Sequence, residues 1–196
     1  APSQLGRIEL LETNPEATSL YPFQPPLLLN QRIGWLRPAV VDDDTFVACT
    51  ESGKLYLVGM STRGAPHLAA VAESTLAMPP ATAPVARDDR VVVVARGQRN
   101  DALVTFELPS LSGESQIELP GRLRWGPFAV GDLLLLSTTP GDLQAFAKDG
   151  RLLWSAAIDG KLPVGKPALN EQVLAVAMSD GTVLRWSVDD GELVSR

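Results

Sequence analysis

Few side chains in this sequence are of types that could perform acid–base, nucleophilic or metal chemistry. His67 is the only histidine, so a serine–histidine relay would have to use it. It follows a turn-forming Arg-Gly-Ala-Pro stretch, and we interpret it as an ordinary strand or loop histidine. One histidine cannot form a metal site built from several imidazoles. The sequence therefore predicts no catalytic, cofactor-binding or metal-binding residue and no cofactor, and it favours a protein that is not an enzyme.

A run of three carboxylates, Asp42 to Asp44, offers the oxygen ligands that calcium prefers. Acidic residues in "ARDDRV" and "VGDLL" occupy the same place in other parts of the chain, between two apolar runs. Aspartate is common in turns because its carboxylate accepts hydrogen bonds from the nearby backbone. We therefore interpret the three aspartates as turn residues.

Thiol and guanidinium groups give no clearer indication of a site. Cys49 is the only cysteine, which excludes an internal disulfide, and it lies in the apolar stretch "FVACT". We expect a buried, inert thiol. Four arginines could form a modest basic patch, but the net charge of −6 favours a solvated surface for them: Arg96, Arg99, Arg122 and Arg124.

Charge and hydropathy exclude two classes of partner. An acidic chain with a pI of about 4.8 lacks the basic surface that binds nucleic acid or anionic lipid. The sequence also contains no apolar run of about 18 residues, so we expect no membrane insertion.

The elements that must position these residues repeat along the chain. A proline with small and apolar residues, then a polar turn and an apolar run, recurs at intervals of roughly 40–50 residues. The repeats are anchored at Pro38, Pro84, Pro127 and Pro167. A period of this length with several short strands is typical of β-propeller blades.

The third repeat shows the strands of one unit. It reads "PFAV", a Gly-Asp turn, "LLLLST", a Pro-Gly-Asp turn, "LQAFA", an Asp-Gly turn and "RLLWSAAI". A short continuous apolar run indicates a strand buried on both faces, and Asp-Gly indicates a tight hairpin. Each unit is therefore predicted to be four antiparallel strands, which become stable only against a neighbouring unit.

The predicted fold is all-β, a propeller of about four four-stranded antiparallel blades in one domain, residues 1–196. We place an outer strand and an irregular lead-in at 1–36 and blades at about 37–80, 81–123, 124–163 and 164–196. Four blades are few for a closed ring, so we expect a partial propeller or a segment of a larger ring. Closure by the first segment and pairing of two copies are the alternatives. The long turn in the second unit, "RGQRNDA", is either an insertion or a functional protrusion.

The stretch "GDLQAFAKDGRLLW" resembles the repeat of pyrroloquinoline-quinone-type β-propellers, through Gly141, Leu143, Ala145, Phe146, Asp149, Gly150 and Trp154. "DGTVLRWSVDDGELV" fits the same pattern except that Val194 stands where a tryptophan is expected. "SGKLYLVGM" fits less fully, and the second unit fits only through its hydrophobic pattern. The resemblance covers the chain from Arg37 onward and implies a propeller with tryptophans packed between blades.

For function the resemblance implies several alternatives. Its dehydrogenases hold a quinone and calcium in the central channel with an aspartate base, and none of those residues can be matched here. Its non-enzymatic members act as scaffolds for other proteins. We therefore expect a non-catalytic module for protein–protein interaction, whose partner is another protein or further propeller blades, with a homodimer as one form. A fragment of a quinone-dependent dehydrogenase and a ligand-sensing region of a larger extracytoplasmic protein are the alternatives. The resemblance also implies a periplasmic or extracellular location.

Overall fold

The computed structural model describes residues 6–10, 20–26, 32–139 and 141–195. Within these residues there is no helix, and sixteen strands form four separate four-stranded sheets. Each sheet is an antiparallel meander in chain order, in agreement with the all-β propeller predicted from the sequence.

The first sheet contains β1 (Ala39–Val40), β2 (Thr45–Cys49), β3 (Lys54–Ser61) and β4 (His67–Thr75). The second sheet contains β5 (Val85–Arg87), β6 (Arg90–Ala95), β7 (Ala102–Glu107) and β8 (Ser112–Glu118). The third sheet contains β9 (Leu123–Val130), β10 (Leu133–Thr138), β11 (Asp142–Phe146) and β12 (Leu152–Ala157). The fourth sheet contains β13 (Pro163–Asn170), β14 (Val173–Met178), β15 (Val183–Ser187) and β16 (Leu193–Ser195).

The first strands of the four sheets lie next to one another. Strand β1 contacts β5, β5 contacts β9, and β9 contacts β13. The sheets therefore fan out from a common inner edge, as the blades of a propeller do. Strand β9 is longer than the predicted "PFAV", because its pairing with β10 continues past a register shift to Trp125 and Leu123.

The core lies between successive sheets. Side chains of β2 and β3 pack on those of β6 and β7, and β6 and β7 pack in turn on the third sheet. A further cluster joins the third and fourth sheets and includes the buried Trp154 and Trp186, which confirms the packing expected for these tryptophans. The middle strands of the first three sheets are apolar in consecutive positions because a neighbour covers both of their faces.

Residues that precede the first sheet cover one face of that sheet, the face that points away from the second sheet. Ile8 and Phe23 exchange backbone hydrogen bonds of 2.9 and 3.0 Å, and both side chains are buried on Tyr56 and its neighbours. The rings of Phe23, Trp35 and Tyr56 lie within 6.2 Å of one another, centroid to centroid. Of the segment predicted as an outer strand and irregular lead-in, residues 1–36, the parts 1–5, 11–19 and 27–31 lie outside the described residues.

Candidate functional site

His67 is the first residue of β4, at the outer edge of the first sheet. Its Nδ1 donates a hydrogen bond of 2.9 Å to the backbone oxygen of Ala65. The backbone beside it pairs with Tyr21, whose N–H binds the oxygen of Pro66. The histidine therefore belongs to an edge pairing with the lead-in segment.

The aspartate run forms the turn between β1 and β2. Asp42 Oδ1 accepts the N–H groups of Asp44, at 2.9 Å, and of Thr45, at 2.7 Å. These hydrogen bonds, that of Asp44 first, lower the pKa of Asp42. Among the described residues no group of three or more histidine, cysteine or acidic side chains could hold a metal ion.

Cys49 lies at the end of β2 and is fully buried between the first and second sheets. Burial raises the pKa of its thiol to about 12, which keeps it protonated at neutral pH.

Two of the four arginines keep 46% and 32% of their side chains exposed to solvent and also form ion pairs with a buried carboxylate. Arg96 and Arg122 converge on Asp101, at 3.1 and 2.8 Å, and the Asp101 side chain is fully buried. Arg122 also donates hydrogen bonds of 2.6 Å to the backbone oxygens of Gly97 and Gln98. The long turn of the second unit is therefore tied to the start of the third sheet by a buried carboxylate.

The inner strands line an open cleft of about 460 Å³. Its walls come from all four first strands and the segments before them, and they are mainly proline, alanine and valine with Phe128. Among the described residues that line the cleft, the charged side chains are Arg37 and Lys166. These two cations do not fit the calcium and aspartate base that the quinone-dependent enzymes use.

Among the described residues, the fourth sheet differs from the other three because nothing covers one of its faces. Along β14 and β15 the side chains alternate, with one set buried against the third sheet and the other set partly or fully exposed. Val164 and Val183 are directly across from Ala177 in neighbouring strands, and they are 41% and 40% exposed. We call this surface the open face: Val164, Ala168, Val173, Ala175, Ala177, Val183 and Arg185.

The open face is suited to contact with another sheet. The equivalent faces of the first three sheets are buried under the next sheet along the chain. Small side chains such as Ala175 and Ala177 leave a flat apolar surface, and exposed apolar patches commonly mark protein interfaces. The strand was predicted, but its bare face was missed. All six residues of "VLAVAM" are apolar, so the strand shows no alternation of polar and apolar residues that would have indicated one uncovered side.

Comparison with known proteins indicates which family of propeller repeats this sequence resembles. Residues 102–194, slightly under half of the chain, match the family model described as outer membrane protein assembly factor BamB. This part of the chain therefore resembles PQQ-type β-propeller repeats. None of the curated protein sequences compared with this propeller chain matches it.

Solved propellers share the fold of this chain at low sequence identity. BamB from Moraxella catarrhalis superposes with a TM-score of 0.64 at 16% identity, covering 91% of this chain and 52% of BamB. Apo AztD from Citrobacter koseri gives a TM-score of 0.62 at 14% identity, covering 97% of this chain and 58% of AztD. The WD40 propeller domain of Doa1 gives a TM-score of 0.55 at 13% identity, covering 83% of this chain and 54% of the Doa1 chain. The chain thus spans about half the length of these propellers and forms a partial propeller.

Within the described residues, no helix is long and apolar enough to cross a membrane.

Proposed function

We propose that this chain is a non-catalytic propeller module that binds other proteins, and that the open face of the fourth sheet is its main contact surface. The observation that supports the proposal most directly is the 40% exposure of Val183, on a central strand whose Leu184 and Trp186 are buried against the third sheet. Covering the part of Val183 that is still exposed contributes roughly 1 kcal/mol to an interface. A partner that covers the open face is therefore stabilised there by the burial of apolar surface.

The partner in this proposal is a protein that presents an apolar sheet face of its own. Further propeller blades have such a face, and a second copy of this chain offers its own open face. Arg185, which is exposed and donates a hydrogen bond to Ser195, adds one positive charge to an otherwise uncharged surface. We expect an acidic residue opposite it in the partner.

We also place this module outside the cytoplasm. The support is the match of its repeats to the model of an outer membrane protein assembly factor. Fractionation of the source cells tests this location, and recovery in the cytoplasmic fraction would contradict it.

The test of function is a comparison of two equal substitutions. Val183→Asp places a charge in the open face, whereas Val71→Asp places the same charge on β4, where Val71 is already 62% exposed. Light scattering after size-exclusion chromatography measures pairing of two copies, and immobilised protein captures other partners. We expect Val183→Asp to abolish association and Val71→Asp to preserve it.

Equal binding by both variants would contradict the role of the open face. The enzyme alternative is tested separately by adding quinone with calcium. An absorbance change or a rise in melting temperature on this addition would overturn the non-catalytic proposal.

A further inference from the structure

Two cations occupy the same position of the repeat in the cleft between the inner strands. Arg37 and Lys166 immediately precede the prolines that anchor the first and fourth repeats, and both line the cleft. The second and third repeats have Ala83 and Gly126 at this position, and these residues line the cleft as well. Because the first strands of the four sheets lie side by side in chain order, the two cations flank two small residues at one level of the cleft.

Neither cation is neutralised by the described part of the chain. Both residues are exposed, and neither forms an ion pair among the described residues. The described residues that line the cleft include no carboxylate. Asp42 and Glu171 lie in the turns beyond the far ends of β1 and β13, and the Glu51 side chain lies beside Gly34, before Arg37 in the chain. The cleft therefore presents two cations whose charge is available to a ligand.

The walls of the cleft between the cations and the acidic turns are apolar. They include Val40, Pro84, Pro127 and Phe128, and Val40 is 75% exposed. Exposed apolar surface of this kind commonly marks an interaction site. Proline has no backbone N–H, so the anchoring positions offer no donor to an added strand. An occupant would therefore be held by its side chains, through charge at one level and apolar contact along the walls.

The third sheet positions one of the cations and part of the apolar wall. Trp125 Nε1 donates a hydrogen bond of 2.9 Å to the backbone oxygen of Gly165, the residue before Lys166. The pairing of β13 with β14 is interrupted around Lys166, and this hydrogen bond holds the interrupted segment against β9. The ring of Trp125 also lies 4.8 Å from that of Phe128, centroid to centroid. Lys166 and Phe128 are thus fixed by the same side chain.

We propose that this cleft binds an acidic peptide segment of a partner protein, with carboxylates between Arg37 and Lys166 and apolar side chains on the walls. Charge complementarity selects this occupant, because the protein as a whole carries a net charge of −6 whereas the described lining of the cleft is cationic. A basic segment would be repelled by the two cations. The cleft is separate from the open face, so its role is tested independently of the role proposed for that face.

Fluorescence anisotropy with defined peptides provides the first test. The probe is a short fluorescein-labelled peptide that alternates glutamate with leucine, and the control probe has glutamine in place of each glutamate. We expect the glutamate peptide to bind more tightly, and added salt to weaken its binding, because salt screens exposed charges. Arg37→Glu and Lys166→Glu should each weaken it by roughly fivefold. Arg63→Glu and Lys54→Glu, the same changes at exposed residues of the first sheet and its β3–β4 turn, should have a much smaller effect.

A bulky substitution separates binding in the cleft from general attraction to cations. Ala83→Trp fills the space between the two cations without a change of charge, and Ala65→Trp adds the same bulk at an exposed turn residue. We expect Ala83→Trp to abolish binding and Ala65→Trp to preserve it, with circular dichroism showing that both variants fold. Val183→Asp, in the open face, should bind the peptide as the wild type does. Equal weakening by Arg37→Glu and Arg63→Glu, or full binding by folded Ala83→Trp, would overturn the site.

Discussion

Asp101 shows how one buried side chain organises a long connection. Its carboxylate accepts hydrogen bonds from Arg96, Arg122 and the N–H of Leu123, and its own backbone pairs with Gly121 and Leu119. A buried carboxylate is tolerable only when paired and hydrogen-bonded in this way. The long turn of the second unit is thus fixed by contacts to the chain that follows β8.

Replacement of this carboxylate should be costly. Asp101→Ala leaves Arg96 and Arg122 without their counter-ion, and we expect a loss of about 3 kcal/mol in the free energy of unfolding. This figure is at the lower end of the range for buried pairs because both arginines are partly exposed. Urea denaturation followed by tryptophan fluorescence measures it. Asp149→Ala, at an exposed hairpin carboxylate, is the control and should change little.

The predictions from sequence succeeded where a single residue's role is local. Asp42 was interpreted as a turn residue, and its Oδ1 accepts hydrogen bonds from the backbone two and three residues onward. Asp101 was missed because its partners lie on either side of β7 and β8, so no short window contains the cluster. A buried aspartate and an exposed one look alike in sequence when their counter-ions are distant.

At the scale of elements, the turns join neighbouring strands through side-chain hydrogen bonds. Asp180, between β14 and β15, accepts hydrogen bonds from the Thr182 hydroxyl at 2.6 Å and its N–H at 3.0 Å. Lys161, from the turn before β13, approaches the same carboxylate at 2.9 Å. Hydrogen bonds from Thr182 first, and then from Lys161, hold the pKa of Asp180 well below its ordinary value.

A lowered pKa predicts a specific dependence on pH. A carboxyl whose pKa is lower in the folded state stabilises the fold above the unfolded-state pKa and loses that contribution as pH falls. We expect Asp180→Asn to melt below the wild type at neutral pH, and the difference to shrink between about pH 4 and pH 2. Melting temperatures followed by circular dichroism across this range provide the measurement. A pH-independent difference between Asp180→Asn and the wild type would contradict the prediction.

The strands themselves were predictable, because a strand buried on both faces has consecutive apolar residues in its own sequence. "LLLLST" begins with four leucines and becomes β10, which is buried throughout. The bare face of the fourth sheet was not predicted, since "VLAVAM" is as suitable for a strand as its counterparts. Whether a strand meets a neighbour on both sides depends on the next sheet, which the strand's own residues do not specify.

At the scale of the whole molecule, the stack of sheets has two unlike ends. One end is covered by the segment that includes Ile8 and Phe23, whereas the other is the open face of the fourth sheet. The cover required contacts between residues far apart in sequence, such as Phe23 with Tyr56 at 5.3 Å, and the irregular, proline-rich lead-in gave no periodic signal for it.

The cover should contribute substantially to the stability of the first sheet. Phe23→Ala removes a buried ring that contacts both Trp35 and Tyr56, and we expect a loss of about 3–5 kcal/mol. Hydrogen exchange should increase most in β3 and β4, since the cluster packs on their outward face. Tyr21→Ala, at a nearby ring that is 65% exposed, should change exchange far less. Uniform loss of protection across all four sheets would contradict a local role for this segment.

The aromatic cluster at Phe23 also gives the stack a polarity. Within the described residues, Ile8 and Phe23 occupy the face on which a further sheet could otherwise pack, so we expect any association to use the open face. If two copies pair through that face as proposed, each covers the other, and such a pair is self-limiting. The same few residues that cover the first blade would then favour pairs over longer assemblies.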